Sequence, residues 1–191
     1  MVDNAHSPIH SMPYLLQMKS STIQMVASIA QFNHSSYKLH QRIVLENLLR
    51  YIYYYHHEIE HISVQIDPSK YNTIRHLFDY LYNHPFLKLF NNPDLIKNTI
   101  GNLDTYYKMI SKEIHKSTIK EMSIITSLSE ITFPHDKITE EIDVLIKMLD
   151  DIVFIMYCFN NSDYIALPFE EKIYLLKKIS REKRRLVNKL V

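Results

Sequence analysis

Residues Arg50–His61 read RYIYYYHHEIEH, which places one arginine, four tyrosines, three histidines and two glutamates within a single short stretch. His57, Glu58 and His61 within it have the spacing H-E-x-x-H. On a helix, that spacing sets two imidazoles one turn apart, where they can share a zinc ion while the glutamate activates a water. The chemistry also needs a cleft and a third ligand. The apolar pattern points the other way. Leu45, Leu48, Ile52, Tyr55, Ile59, Ile62 and Ile66 alternate three and four residues apart, a seam that faces a neighbouring helix and leaves His57 on the solvent side. Glu60 adds a charge inside the motif. His57 and His61 are therefore the metal-site alternative, a hydrolase, against an expectation of no metal and no cofactor.

Arg50 is followed at short range by His56 and His57. This arrangement resembles the R-x(4–6)-H signature of HEPN-family ribonucleases, which are also helical bundles. The resemblance implies a homodimer in which Arg50 and one of His56 and His57 meet across the interface. The histidine would act as acid or base and the arginine would stabilise a phosphate, giving RNA cleavage without metal. Glu46, Arg50, Tyr54, His57 and His61 would form a polar outward stripe suited to such a dimer. Tyr51 stands where the family commonly has a polar residue. On the residues alone, Glu46 and Arg50 read as an i,i+4 ion pair on a surface helix.

Two further motifs stop short. His84-Pro85-Phe86 opens like the HPF motif of Fic enzymes, but the continuation LKLFNN has no glycine for an anion loop. Glu58…His61 fits the E-x-x-H of di-iron bundles, which need a second copy that the chain does not supply.

Charge is distributed unevenly. Residues 168–191 hold eight basic and three acidic side chains, a balance of +5 in a chain whose net charge is +1. Ile173, Leu176, Ile179, Leu186 and Leu190 still recur as an apolar stripe there. A basic amphipathic helix of this kind docks on an acidic partner, an anionic membrane or nucleic acid. The alternative is a bundle helix whose basic outer face offsets acids elsewhere. Lys177, Lys178, Arg181, Arg184 and Arg185 are the candidate partner-binding residues, with a partner protein favoured over nucleic acid or membrane.

These side chains must be positioned by helices. The chain has a single glycine, Gly101, where average usage would give about thirteen. Hairpins, bulges and phosphate-cradling loops draw on glycine, and helices need it least. Pro13, Pro68, Pro93 and Pro168 each precede a helical pattern, as prolines at first helical positions do. The spacing predicts helices over about 13–32, 36–64, 69–83, 93–130, 137–160 and 168–190, with a break near 101–102 allowed by Gly101. Expected core positions are Leu16, Ile23, Val26 and Ala30 in the first and Tyr71, Ile74, Phe78 and Leu81 in the third. The fourth supplies Ile96, Ile100, Leu103, Tyr107, Ile110, Ile114, Met122, Ile125 and Leu128. The fifth supplies Ile138, Ile142, Leu145, Leu149, Ile152 and Met156, and its second half is apolar all round, which places it at the centre. The expected fold is all-α: one compact bundle of about six helices, several of them long, without a sheet. Residues 1–12 would be a flexible tail and 13–191 the single domain.

The one cysteine, Cys158, excludes a disulfide framework and a cysteine-built zinc site. The apolar run Ile152–Phe159 falls far short of the ~20 residues of a membrane helix, and the first residues lack a secretory pattern. A soluble, cytoplasmic protein is the expectation. With no convincing catalytic set, the favoured function is a non-enzymatic interaction module of effector, adaptor or immunity type. It would bind another protein through a groove or face of the bundle.

Overall fold

The structure, a computed structural model, describes residues 10–31, 33–115, 135–160 and 168–187. Helices account for 86% of these residues, and there is no strand among them. The α-helices are α1 (Met12–Ala30), α2 (His34–Tyr55), α3 (Glu58–Ile66), α4 (Ile74–Tyr82), α5 (Pro93–Ile114), α6 (His135–Phe159), α7 (Phe169–Lys178) and α8 (Arg181–Val187). Two 3₁₀ turns, Pro68–Lys70 and Pro85–Leu89, flank α4.

Side-chain caps fix several helix starts. The Asn33 side chain accepts from the Ser36 N–H, Thr73 from His76 and Asn92 from Leu95, each meeting a donor that the first turn cannot satisfy internally. Helix α2 is the central element. It lies along α1 and also touches α4, α5 and α6, while α5 packs on α6. Leu48, Ile52, Ile96, Ile100, Leu103 and Phe154 are fully enclosed in the common core. From Asp151 to Phe159 every residue of α6 except Val153 is buried, which is the central placement that the apolar run Ile152–Phe159 implies. Helix α5 runs unbroken through Gly101, where a Cβ would stand 3.2 Å from the Tyr82 hydroxyl.

The apolar register differs from the sequence expectation in three places. In α1 the buried row is Met18, Ser21, Met25 and Ser28, with Tyr14 and Leu15, and the expected Leu16, Ile23 and Val26 are exposed. Both sides of this helix are apolar, so periodicity alone does not choose between them. The buried side carries the small serines, and Ser28 Oγ donates to Ser36 Oγ at 2.9 Å where α1 meets α2.

The second difference concerns the long seam. Helix α2 stops at Tyr55, where the N–H groups of His56 and His57 turn back to the carbonyls of Tyr53 and Tyr54. The helix restarts at Glu58 in a new register. His61 and Val64 now face inward, and Ile59 is 81% exposed, with Ile62 and Ile66 exposed beside it. Ile59→Ala is therefore expected to change stability by less than about 0.5 kcal/mol. Ile52→Ala, in the enclosed part of the seam, should cost about 2–5 kcal/mol. Urea titration of both variants checks the register, and equal losses would contradict it.

The third difference is at the C-terminus, where the single expected helix is two, separated at Ile179–Ser180. Tyr71 and Ile142, expected in the core, are exposed. Met122, Ile125, Leu128 and Leu190 lie outside the described residues.

Candidate functional site

The His57–His61 spacing survives as one helical turn, and the His61 N–H bonds to the His57 carbonyl at 3.0 Å. The two rings nevertheless go separate ways. His57 occupies the N-cap of α3, where its Nδ1–H donates to the Tyr53 carbonyl at 2.7 Å and its ring stacks on Tyr53 at 4.2 Å. His61 points into the bundle, 8% exposed, between Tyr54 at 5.3 Å, Tyr14 at 5.7 Å and His10 at 5.8 Å. Glu60, inside the motif, accepts the hydroxyl proton of Tyr53. Among the described residues, no group of three or more His, Cys, Asp or Glu side chains is arranged to hold a metal ion.

The expected outward stripe does not face outward. Tyr54 and His61 are buried, and Glu46 and Arg50 are half-buried. Tyr54 turns inward because it closes the space between α1 and α3. Arg50 Nη1 donates to Glu46 Oε2 at 3.2 Å, and its guanidinium lies 4.9 Å over the Tyr71 ring. Arg42 Nε donates to the other oxygen of Glu46 at 2.8 Å, where the Tyr107 hydroxyl also donates at 3.1 Å. Burial pushes the Glu46 carboxyl up, but hydrogen bonds and charge from Arg42 and Arg50 outweigh it and hold the group below its usual range. Arg50 thus serves a polar network joining α2, α5 and the segment before α4. His56 is directed elsewhere, toward Phe86 at 5.8 Å and His84 at 6.2 Å. The structure does not gather Arg50, His56 and His57 around a shared position within the chain.

The C-terminal candidates divide into structural and exposed groups. Arg184 is half-buried, and its Nη2 donates to the carbonyls of Lys177 and Ile179 at 3.3 and 3.1 Å, closing the end of α7. Lys183, which the basic pattern places on a solvated face, is 7% exposed and bound by both Asp150 and Asp151 of α6. Lys177, Lys178, Arg181 and Arg185 are exposed, and none of them is in an ion pair among the described residues. Phe169 and Tyr174 of α7 are also exposed, and the Lys178 ammonium stands 5.0 Å from the Tyr174 ring. Glu170 of α7 and Glu182 of α8 are exposed acids on the same two helices.

Two groups were not singled out from the sequence. One is the Asp150–Asp151–Lys183 cluster, whose signal is a pair of adjacent acids directly before the run IVFIMYCF. The other is the aromatic array that holds His57 and His84 against Tyr53 and Tyr80. Its signal is the i,i+4 recurrence of tyrosine before histidine in Tyr53–His57 and Tyr80–His84. Cys158 is buried, which pushes its thiol up and removes it as a nucleophile near neutral pH. No helix of the described residues is long and apolar enough to cross a membrane.

Compared with protein-family models, curated proteins and solved structures, the chain matched none.

Proposed function

We propose that this chain is a non-enzymatic helical interaction module, of effector, adaptor or immunity type, that binds an acidic partner protein through the outer face of α7 and α8. The observation that carries this reading is that Lys177, Lys178, Arg181 and Arg185 are exposed on α7 and α8, together with Phe169 and Tyr174, and that Lys178 lies over the Tyr174 ring. Arginine and aromatic side chains are enriched at protein interfaces, where a few anchors supply most of the affinity. The motifs that suggested catalysis are engaged internally instead: Arg50 with Glu46, His57 with Tyr53, and His61 with Tyr14 and Tyr54. Exposed Glu170 and Glu182 on the same two helices weaken the field that a polyphosphate would need, which favours a protein partner.

A quadruple variant, K177E/K178E/R181E/R185E, tests the reading while leaving Lys183 and Arg184 in place. These four side chains are exposed, so the variant should melt close to the wild type. Capture from the native host, followed by mass spectrometry, should recover an acidic protein with the wild type at about 0.15 M salt and lose it at about 1 M. The variant should not recover it under either condition. Retention of the same proteins by wild type and variant would place the interface elsewhere, and selective capture of RNA would replace the partner class.

A further inference from the structure

A separate device lies where α3 closes over the bundle. The connection between α2 and α3 is only His56 and His57, and the last turn of α2 is already tightened there by bonds to the carbonyls of Tyr53 and Tyr54. Helix α3 is attached through two buried side chains, His61 and Val64, and the Tyr53–Glu60 hydrogen bond, and it presents Ile59, Ile62 and Ile66 to solvent. We propose that α3 is an acid-released latch: with His61 neutral it closes over Tyr14 and Tyr54, and with His61 protonated beside His10 it swings away about the His56–His57 joint.

The groups that surround His61 determine the direction. Helix α1 presents the Tyr14 ring, and the residue just before α1, His10, sets its own ring 5.8 Å away. Helix α2 presents Tyr54 and, behind it, Arg50 against Tyr71. The segment after α3 presents Tyr71, whose hydroxyl lies 3.0 Å from that of Tyr14. Helix α3 itself supplies Gln65, with Nε2 at 3.4 Å from His61 Nε2, and Glu58, whose Oε1 is 3.9 Å from His10 Nδ1. The one carboxylate in this set faces His10, so a proton on His61 meets neutral phenols, a guanidinium further off and a second imidazole.

The closed form gives a charge on His61 no counter-charge. His10 Nε2–H donates to the Tyr54 carbonyl at 2.6 Å, and its Nδ1 faces Glu58. A proton on His61 has no carboxylate acceptor and stands beside the His10 ring. Burial and the neighbouring His10 accordingly hold the His61 imidazole below its ordinary range. Swinging α3 outward hydrates His61 and separates it from His10, at the loss of His61 and Val64 from the interior and of the Tyr53–Glu60 hydrogen bond.

Hydrogen exchange measured by mass spectrometry on the full chain, corrected for intrinsic exchange rates, tests the latch. Between about pH 7.5 and about pH 5, protection over residues 58–66 should fall by a larger factor than protection over α5, because local release of α3 adds to any global loss. His61→Phe keeps a buried ring that cannot be charged, and it should remove the excess loss. His10→Phe removes the imidazole beside His61 and should reduce it, which covers the case in which His61→Phe does not fold. Exchange over 58–66 that tracks α5 throughout, or an undiminished acid-dependent loss in both variants, would overturn the proposal.

Discussion

Lys183→Met is expected to lower the unfolding free energy by about 3–5 kcal/mol, among the largest losses available to a single side chain in this molecule. The Lys183 ammonium is buried between the carboxylates of Asp150 and Asp151 and ties α8 to the middle of α6. Asp150 also accepts the Ser180 N–H at 2.9 Å, just before α8 begins. Burial pushes the Asp151 carboxyl above its usual range, and the hydrogen bond and charge of Lys183 offset that push without cancelling it. Methionine fills nearly the same volume but leaves two adjacent carboxylates without their cation, one of them deeply buried. The cost is that of an uncompensated buried charge rather than of a lost surface ion pair. Arg185→Gln, on the exposed side of the same helix, should move stability by less than about 0.5 kcal/mol. Urea titrations of the two variants compare them directly. A loss below about 1 kcal/mol for Lys183→Met would show that the cluster is solvated and that α8 is held by Leu186 and Val187 alone.

The contrast between Lys183 and Arg185 also shows where the sequence was legible. Helix α5 has one apolar face, so Ile96, Ile100, Leu103 and Ile110 declare it, and all four are buried. The apolar end of α6 likewise has only one place to go. The enclosed part of α2 through Ile52 follows its seam for the same reason. Legibility fails where two faces compete or where the chain breaks without glycine or proline. In α1, Met25 and Val26 are equally apolar, and the close approach at Ser28 and Ser36 decides which is buried. Between Tyr55 and Glu58 no local residue compels a break. The new register is fixed by contacts distant in sequence: His10 on the Tyr54 carbonyl, and Tyr14 against His61. A seam extrapolated across that joint buries Ile59 and exposes His61, the reverse of what the fold does. Counting charge along 168–191 treats every cation as solvated, and that count cannot reveal that Asp150 and Asp151 draw Lys183 inward. The exposed remainder, Lys177, Lys178, Arg181 and Arg185, is the part of the basic pattern that is free to meet a partner.

His84 provides the second large effect, and it depends on pH. Its side chain is 5% exposed, with Tyr80 at 5.0 Å, Phe86 at 4.8 Å and Phe159 at 4.9 Å. Its Nδ1 accepts the Phe86 N–H at 3.2 Å, capping the 3₁₀ turn Pro85–Leu89, so the proton of the neutral ring resides on Nε2. Protonating Nδ1 would set one N–H against another inside an aromatic enclosure. Burial first, then the charges of His56 and His57, bring the imidazole down to about 4 from an ordinary value of 6.5. Because the folded-state value is depressed, the unfolded chain takes up the proton first. The stabilisation is complete above about pH 6.5 and drains away as pH falls toward 4, by about 3 kcal/mol in all. His84→Asn retains an acceptor for the Phe86 N–H and does not titrate, so it should lose some stability at neutral pH through poorer packing yet respond less to acid. The difference between wild-type and variant unfolding free energies should therefore shrink or reverse by about 3 kcal/mol between about pH 7.5 and about pH 4, while carboxylate titrations common to both proteins cancel. Parallel stability curves over that interval would mean that His84 is hydrated, and that its enclosure by Tyr80, Phe86 and Phe159 opens readily in solution.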